Sequence, residues 1–129
     1  MKKILLLIIP ILLWSCSLPK DNPLDPGSPD GIQPPIRVSG ISVTRVSSSG
    51  PLRITWNQAP TADGYFIYRS QSYYGEYILH KEIESGEITQ YDDFSYVQGN
   101  FYYYIMSAYR WVGEQQLEGY RSGKKTWGD

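Results

Sequence analysis

One cysteine, one histidine and no excess of positive charge are what 129 residues offer to chemistry. A lone Cys closes no disulfide within its own chain, and one Cys with one His falls short of a four-ligand zinc site. His80 is the single imidazole. It sits between Leu79 and Lys81 on an expected edge strand, where a solvated structural role suits it better than a catalytic relay. No Gly-x-Ser-x-Gly turn presents a serine, and no Gly-rich phosphate loop leads into a helix. Asp92 and Asp93 are neighbours on one expected strand, so they point to opposite faces and cannot flank a substrate as a carboxylate pair. Twelve basic side chains stand against 13 acidic ones, with no basic stripe for nucleic acid. The expectation is therefore a non-enzyme with no catalytic residues, no metal, no dissociable cofactor and no nucleic-acid partner.

Long hydrophobic runs are missing as well. The longest covers residues 4–14, is interrupted by Pro10, and follows Lys2 and Lys3. A membrane-crossing helix needs about 20 apolar residues, so this run has the length of a signal-peptide core instead. It ends in Leu13-Trp14-Ser15-Cys16, which resembles the lipobox of bacterial lipoproteins, although Trp14 is larger than the residue usual there. The resemblance implies that residues 1–15 are removed and that Cys16 carries a covalent lipid, palmitate included. The mature chain would then be held on a membrane of the bacterial cell envelope. Ser17 in place of an Asp favours the outer membrane or cell surface over the inner membrane. A single Cys with no disulfide partner in an oxidising compartment agrees with a thioether role. Two or more acyl chains would anchor stably, at about 0.8 kcal/mol per buried CH₂. The plainer alternative is an ordinary secretory signal with Cys16 as a bystander.

Residues 16–36 read as a tether. Pro19, Pro23, Pro26, Pro29, Pro34 and Pro35 fall in it, so neither a helix nor a central strand forms there. Fully extended at about 3.1 Å per residue, it would hold a domain up to roughly 60 Å from its anchor. Asp21, Asp25 and Asp30 lack the alternate spacing of a calcium loop.

What the chain has in quantity is aromatics: 12 Tyr, 4 Trp and 3 Phe. From 37 to 129 no 3.6-residue period is sustained. Short alternating runs are separated instead by Gly, Asn, Asp and Ser, the pattern of an all-β sandwich. Seven strands are expected near 41–46, 51–57, 64–69, 76–81, 89–92, 100–110 and 119–126. Leu52, Ile54 and Trp56 alternate with Arg53, Thr55 and Asn57, and Tyr102, Tyr104, Met106 and Ala108 share one face of the sixth run. The order of Leu52-Arg-Ile-Thr-Trp56, Gly64-Tyr-Phe-Ile-Tyr-Arg69 and Gly99-Asn-Phe-Tyr-Tyr-Tyr-Ile-Met106 resembles a fibronectin type III domain. That resemblance implies an immunoglobulin-like β-sandwich of fibronectin type III topology over 37–129, with Trp56, Tyr65, Ile67 and Tyr102 in its core. Tyr102 would be the corner tyrosine whose hydroxyl returns to upstream backbone. Ile41, Val43 and Val46 do not hold one phase, so a bulge is expected in the first strand.

Alternation also nominates a surface. With Tyr65 and Ile67 inward, Phe66 and Tyr68 face out; with Tyr104 and Met106 inward, Tyr103 and Ile105 face out. The resemblance places these two strands side by side, which would merge the four into one aromatic patch suited to protein contact. The plainer role is cross-strand pairing, or cover from the linker or the C-terminus. Tyr73, Tyr74 and Trp111 are expected in loops. The function expected is a lipid-anchored envelope module that binds or scaffolds another protein. The alternatives are a carbohydrate-binding module using Tyr73, Tyr74 and Trp111, or an accessory subunit of an envelope enzyme.

Overall fold

The structure is a computed structural model that describes residues 31–128. Residues 1–15, Cys16 and the linker up to Asp30 lie outside the described residues. Among the described residues eight strands form two antiparallel sheets. One sheet orders β1 (Ser42–Arg45), β2 (Leu52–Thr55) and β5 (Gln90–Asp93). The other orders β4 (Ile78–Ile83), β3 (Gly64–Ser70), β6 (Tyr103–Val112) and β7 (Gln115–Glu118), with β8 (Lys125–Thr126) also paired to β6. The sheets face each other across the expected apolar positions. Val43, Leu52, Ile54 and Trp56 pack against Tyr65, Ile67, Tyr102, Tyr104, Met106 and Ala108, all buried. The four core residues expected from the sequence, Trp56, Tyr65, Ile67 and Tyr102, are among them.

Three strand expectations need correction. The last strand is not one run over 119–126. The chain turns tightly at Gly113, whose φ of 62° suits glycine. It pairs back as β7, leaves regular strand geometry over 119–124, and rejoins β6 at β8. Gly119 N–H to Ala108 C=O and Ser122 N–H to Met106 C=O keep the intervening stretch alongside β6. The first strand carries no bulge: its register with β2 is continuous from Ser42↔Thr55 to Arg45↔Leu52. Ile41 and Val43 are two apart and share the inner side, whereas Val46 lies past the strand's end and is exposed. The irregularity falls in β4 instead, which starts two residues later than expected. There Ile67 pairs with Lys81 and Tyr68 with Leu79, leaving His80 as the extra residue.

The chain's two ends of sandwich differ in what they carry. Loops 46–51, 71–77 and 94–102 gather at one end, called the head below. Loops 56–63, 84–89 and 113–114 gather at the other, the base. At the base, Tyr65 is the keystone. Its ring meets Trp56 edge-on with centroids 5.3 Å apart. Its hydroxyl accepts from Ala59 N–H at 3.0 Å and donates to Gly86 C=O at 2.8 Å. Gly86 comes so close to the Ala62 carbonyl that any Cβ there would collide with backbone. Tyr65→Phe should therefore lower unfolding free energy by about 1–3 kcal/mol in urea titration, because it strands a buried donor without changing shape. Tyr77→Phe, whose exposed hydroxyl donates to Tyr73 C=O, should cost well under that.

Candidate functional site

The one buried carboxylate among the described residues sits where the two sheets meet near the head. Asp93 ends β5 fully enclosed, and five groups converge on it. Arg69 Nη1 donates to its Oδ2 at 2.9 Å and the Tyr104 hydroxyl to the same oxygen at 2.7 Å. The Ser95 backbone N–H and hydroxyl donate to Oδ1 at 3.0 and 2.6 Å, and His80 Nε2 lies 3.3 Å away. Arg69 and Tyr104 are cross-strand partners on the inner face of β3 and β6, which is why both reach the same acid. His80 arrives by another route: as the extra residue of the β4 bulge it turns inward to Asp93 and to the Tyr91 hydroxyl at 3.2 Å. The solvated His expected on the edge strand is thus partly buried and engaged.

Burial pushes the Asp93 carboxyl up, yet the hydrogen bonds from Ser95 and Tyr104, with His80 and Arg69 beside it, bring it below the ordinary 3.8. For His80 desolvation outweighs the attraction of Asp93, so its pKa falls below 6.5. Ser, His and Asp meet here, but not as a hydrolytic relay. The serine hydroxyl and the imidazole both face the carboxylate, and among the described residues the hydroxyl paired with His80 is a phenol. The neighbouring groove of about 410 Å³ is lined by Arg69, Ser70, Gln71, Glu76, Ile78, Leu79 and His80.

The corner residue differs from the one expected. The hydroxyl that reaches upstream is that of Tyr104, and it binds the Asp93 side chain rather than backbone. Tyr102 is held through its ring, with the Arg69 guanidinium 4.7 Å from its centroid and Tyr96 packed edge-on.

The outer face of the larger sheet brings Phe66, Tyr68, Tyr103 and Ile105 together as expected, since Tyr68 pairs with Ile105 and Ser70 with Tyr103. It is not an open patch. Tyr68 is only 8% exposed, its hydroxyl bonded to Glu118 at 2.8 Å and its ring covered by Arg121 at 3.9 Å. Ser107 donates to the same Glu118 oxygen at 2.6 Å. Phe66 stacks on Tyr109 at 4.6 Å, beneath a Gln116–Glu82 hydrogen bond from the flanking strands. Desolvation, then Glu82, pushes the Tyr109 phenol up to about 12. The stretch from Glu118 to Lys124 works as a strap across this face. Sequence alternation finds the face but carries no sign of the strap, whose contacts with the face join residues distant along the chain.

Tyr73, Tyr74 and Trp111 do not converge. Tyr73 and Tyr74 follow the head end of β3, while Trp111 stands at the base end of β6. Trp111 lies eight positions along β6 from Tyr103, roughly 26 Å at about 3.3 Å per position, and Tyr73 packs on Tyr103. No single small sugar would touch all three. The head does carry exposed apolar side chains, Tyr74, Ile78, Phe94, Val97, Phe101 and Trp127, of which Phe101 and Trp127 line one groove. The described N-terminal segment instead lies toward the base, with Gln33 C=O accepting from Arg110 and Pro35 packed against Gly119.

Two facing antiparallel sheets, a Trp-centred core and a tyrosine that ties the β5–β6 corner define an immunoglobulin-like β-sandwich. No family model matches the chain, and no curated protein matches it. Among solved structures it is similar to a protein described as "a Fn3-like protein from Clostridium thermocellum". The two are 30% identical, with a TM-score of 0.59 over 74% of this chain and 90% of that one. The chain belongs to the Fn3-like proteins. That fold serves in general as a protein-interaction or scaffolding module and is typically non-catalytic.

Asp93 and His80 set the acid response. The Asp93 pKa is depressed on folding, so its contribution is present above about pH 4 and lost as pH falls through its folded value. His80 is also depressed; folding favours its neutral form, and that stabilisation fades as pH falls below 6.5. Thermal unfolding should thus show Tm declining first below pH 6.5 and again below pH 4, and His80→Gln should remove the upper step alone. Asp93→Asn should cost about 3 kcal/mol at pH 7, since Arg69 then loses its buried partner.

Proposed function

We propose that the chain is a lipid-anchored module of the bacterial cell envelope that presents its Fn3-like domain on a proline-rich stalk and binds another protein through the head, without catalysis. One observation carries this reading. Most of the exposed large apolar side chains lie at the end of the sandwich opposite the side where the N-terminal segment packs, with Ile36, Ile88, Trp111 and Tyr120 as the exceptions. A domain held by lipid on Cys16 would point that end away from its own membrane. Loops on a rigid sandwich are where recognition residues are generally placed. The outer sheet face has a supporting part in this reading: Phe66, Tyr68, Tyr103 and Ile105 stiffen the sheet beneath the strap, and the head loops meet the partner. Glycan binding through Trp111 together with Tyr73 and Tyr74 loses its geometric support, because these residues lie at opposite ends. An accessory role beside an envelope enzyme is compatible with the same head surface.

Two measurements test the halves of this proposal separately. Metabolic labelling with a tagged fatty acid should mark the wild-type chain and leave Cys16→Ser unlabelled and released from membranes. Equal labelling of both would overturn the anchor. In-cell crosslinking should recover a partner with the wild-type chain and with Trp111→Ala, and lose it with Phe101→Ser combined with Val97→Ser. A partner lost with Trp111→Ala and retained with the head variant would move the binding surface to the base.

A further inference from the structure

Loop 71–77 carries an arrangement that neither core packing nor the head's apolar character explains. The Lys124 ammonium lies 4.4 Å from the ring centroid of Tyr73, 5.2 Å from that of Tyr74 and 5.5 Å from that of Tyr77. Three tyrosine faces around one cation form a box in which the attraction comes from ring quadrupoles. Among the described residues no carboxylate forms an ion pair with Lys124.

The box is built before its cation arrives. Ser70 Oγ donates to Ser72 C=O at 2.8 Å and accepts from Ser72 N–H, and Gly75 N–H closes the turn on Ser72 C=O. The Tyr77 hydroxyl donates to Tyr73 C=O at 3.1 Å, and the Tyr73 ring meets Tyr74 and Tyr103 edge-on at 4.9 and 5.6 Å. These bonds fix Tyr73 and Tyr77 independently of Lys124. Tyr74 nevertheless stands 90% exposed, a large ring left in water with no burial to show for it. Lys124 reaches the box from the irregular stretch between β7 and β8 rather than from a strand.

We propose that Tyr73, Tyr74 and Tyr77 form a binding site for a quaternary ammonium group of the choline type, and that Lys124 is its resident stand-in. A primary ammonium is strongly hydrated and gains little from an acid-free aromatic box. A quaternary ammonium is weakly hydrated, spreads its charge over methyl groups and fills the same space with better contact. The choice of cation follows from the walls: with no carboxylate among them, the site rewards polarisable, poorly solvated charge over hydrogen-bond donors. The ligand would displace Lys124 outward, loosening the strap at one end while Arg121 and Glu118 keep its grip on Tyr68. The site does not depend on the lipid anchor.

The experiment is an NMR titration of the full-length chain, in a detergent without a choline headgroup, with tetramethylammonium chloride as the probe. Ring resonances of Tyr73, Tyr74 and Tyr77 should shift saturably. Lys124→Ala should bind about threefold more tightly because the competitor is gone, and Tyr74→Ala about threefold more weakly. Shifts reproduced by sodium chloride, or equal affinity in wild type and Lys124→Ala, would overturn the proposal. Phosphocholine in solution and phosphatidylcholine vesicles separate a free choline ester from a lipid headgroup. Binding of either supports the assignment, and binding of tetramethylammonium but neither of these overturns the choline class.

Discussion

Everything at the head end hangs from one buried negative charge. A carboxylate taken out of water is costly unless its lone pairs are met, and Asp93 meets them with a guanidinium, a phenol, a serine and a backbone amide. Each donor comes from a different part of the chain: Arg69 from β3, Tyr104 from β6, Ser95 from the corner, with His80 beside them from the β4 bulge. The hub therefore fixes the spacing of the two sheets at their open side and the course of loop 94–102 at once. Arg69 is also stacked over Tyr102, so the same charge that satisfies the acid orders the aromatic corner. Remove Asp93 and four elements lose their common reference point.

The head and the outer face are consequences of that order. With β3 and β6 locked in register by core and hub, their outward residues fall into rows, and the strap covers those rows with Glu118, Arg121 and Lys124. A face that alternation alone would leave apolar and open becomes a second, thinner layer of packing, with two cations lying on tyrosine rings. Most of what stays uncovered is at the loops, with Ile78 and Leu79 on β4 and Trp111 on β6 besides. The surface most open to recognition is thus the one least constrained by the sheets.

Local pattern made most of the sandwich readable, and non-local contact explains what it missed. Leu52, Ile54 and Trp56 on one face, and Tyr102 to Ala108 on the other, follow from a period of two, and they are the core. Asp93 was legible only as a residue pointing away from Asp92. That it is the enclosed one of the pair depends on Arg69 and Tyr104, 24 and 11 positions away. His80 reads as solvated on an unbroken edge strand, and only the register slip against Ile67 and Tyr68 turns it inward. The same limit applies to the surface residues. Phe66, Tyr68, Tyr103 and Ile105 were correctly placed on one face, but no period in the chain foretells a strap. Tyr73 and Tyr74 were recognisable as loop aromatics; their Lys124 partner, some fifty residues on, was not.

The larger sheet has two flanks, and both are irregular. Along β4 the pairing slips at His80, and exposed Lys81 follows it. Along β6 the outer partner is a four-residue strand, a non-strand stretch and a two-residue strand. A foreign or sibling chain that tried to extend the sheet would find no flank on which more than a few consecutive amides are aligned and free. The interruption between β7 and β8, which looks like a defect of the last strand, therefore caps the sheet. It leaves a second copy of the chain little aligned edge along which to lengthen this sheet.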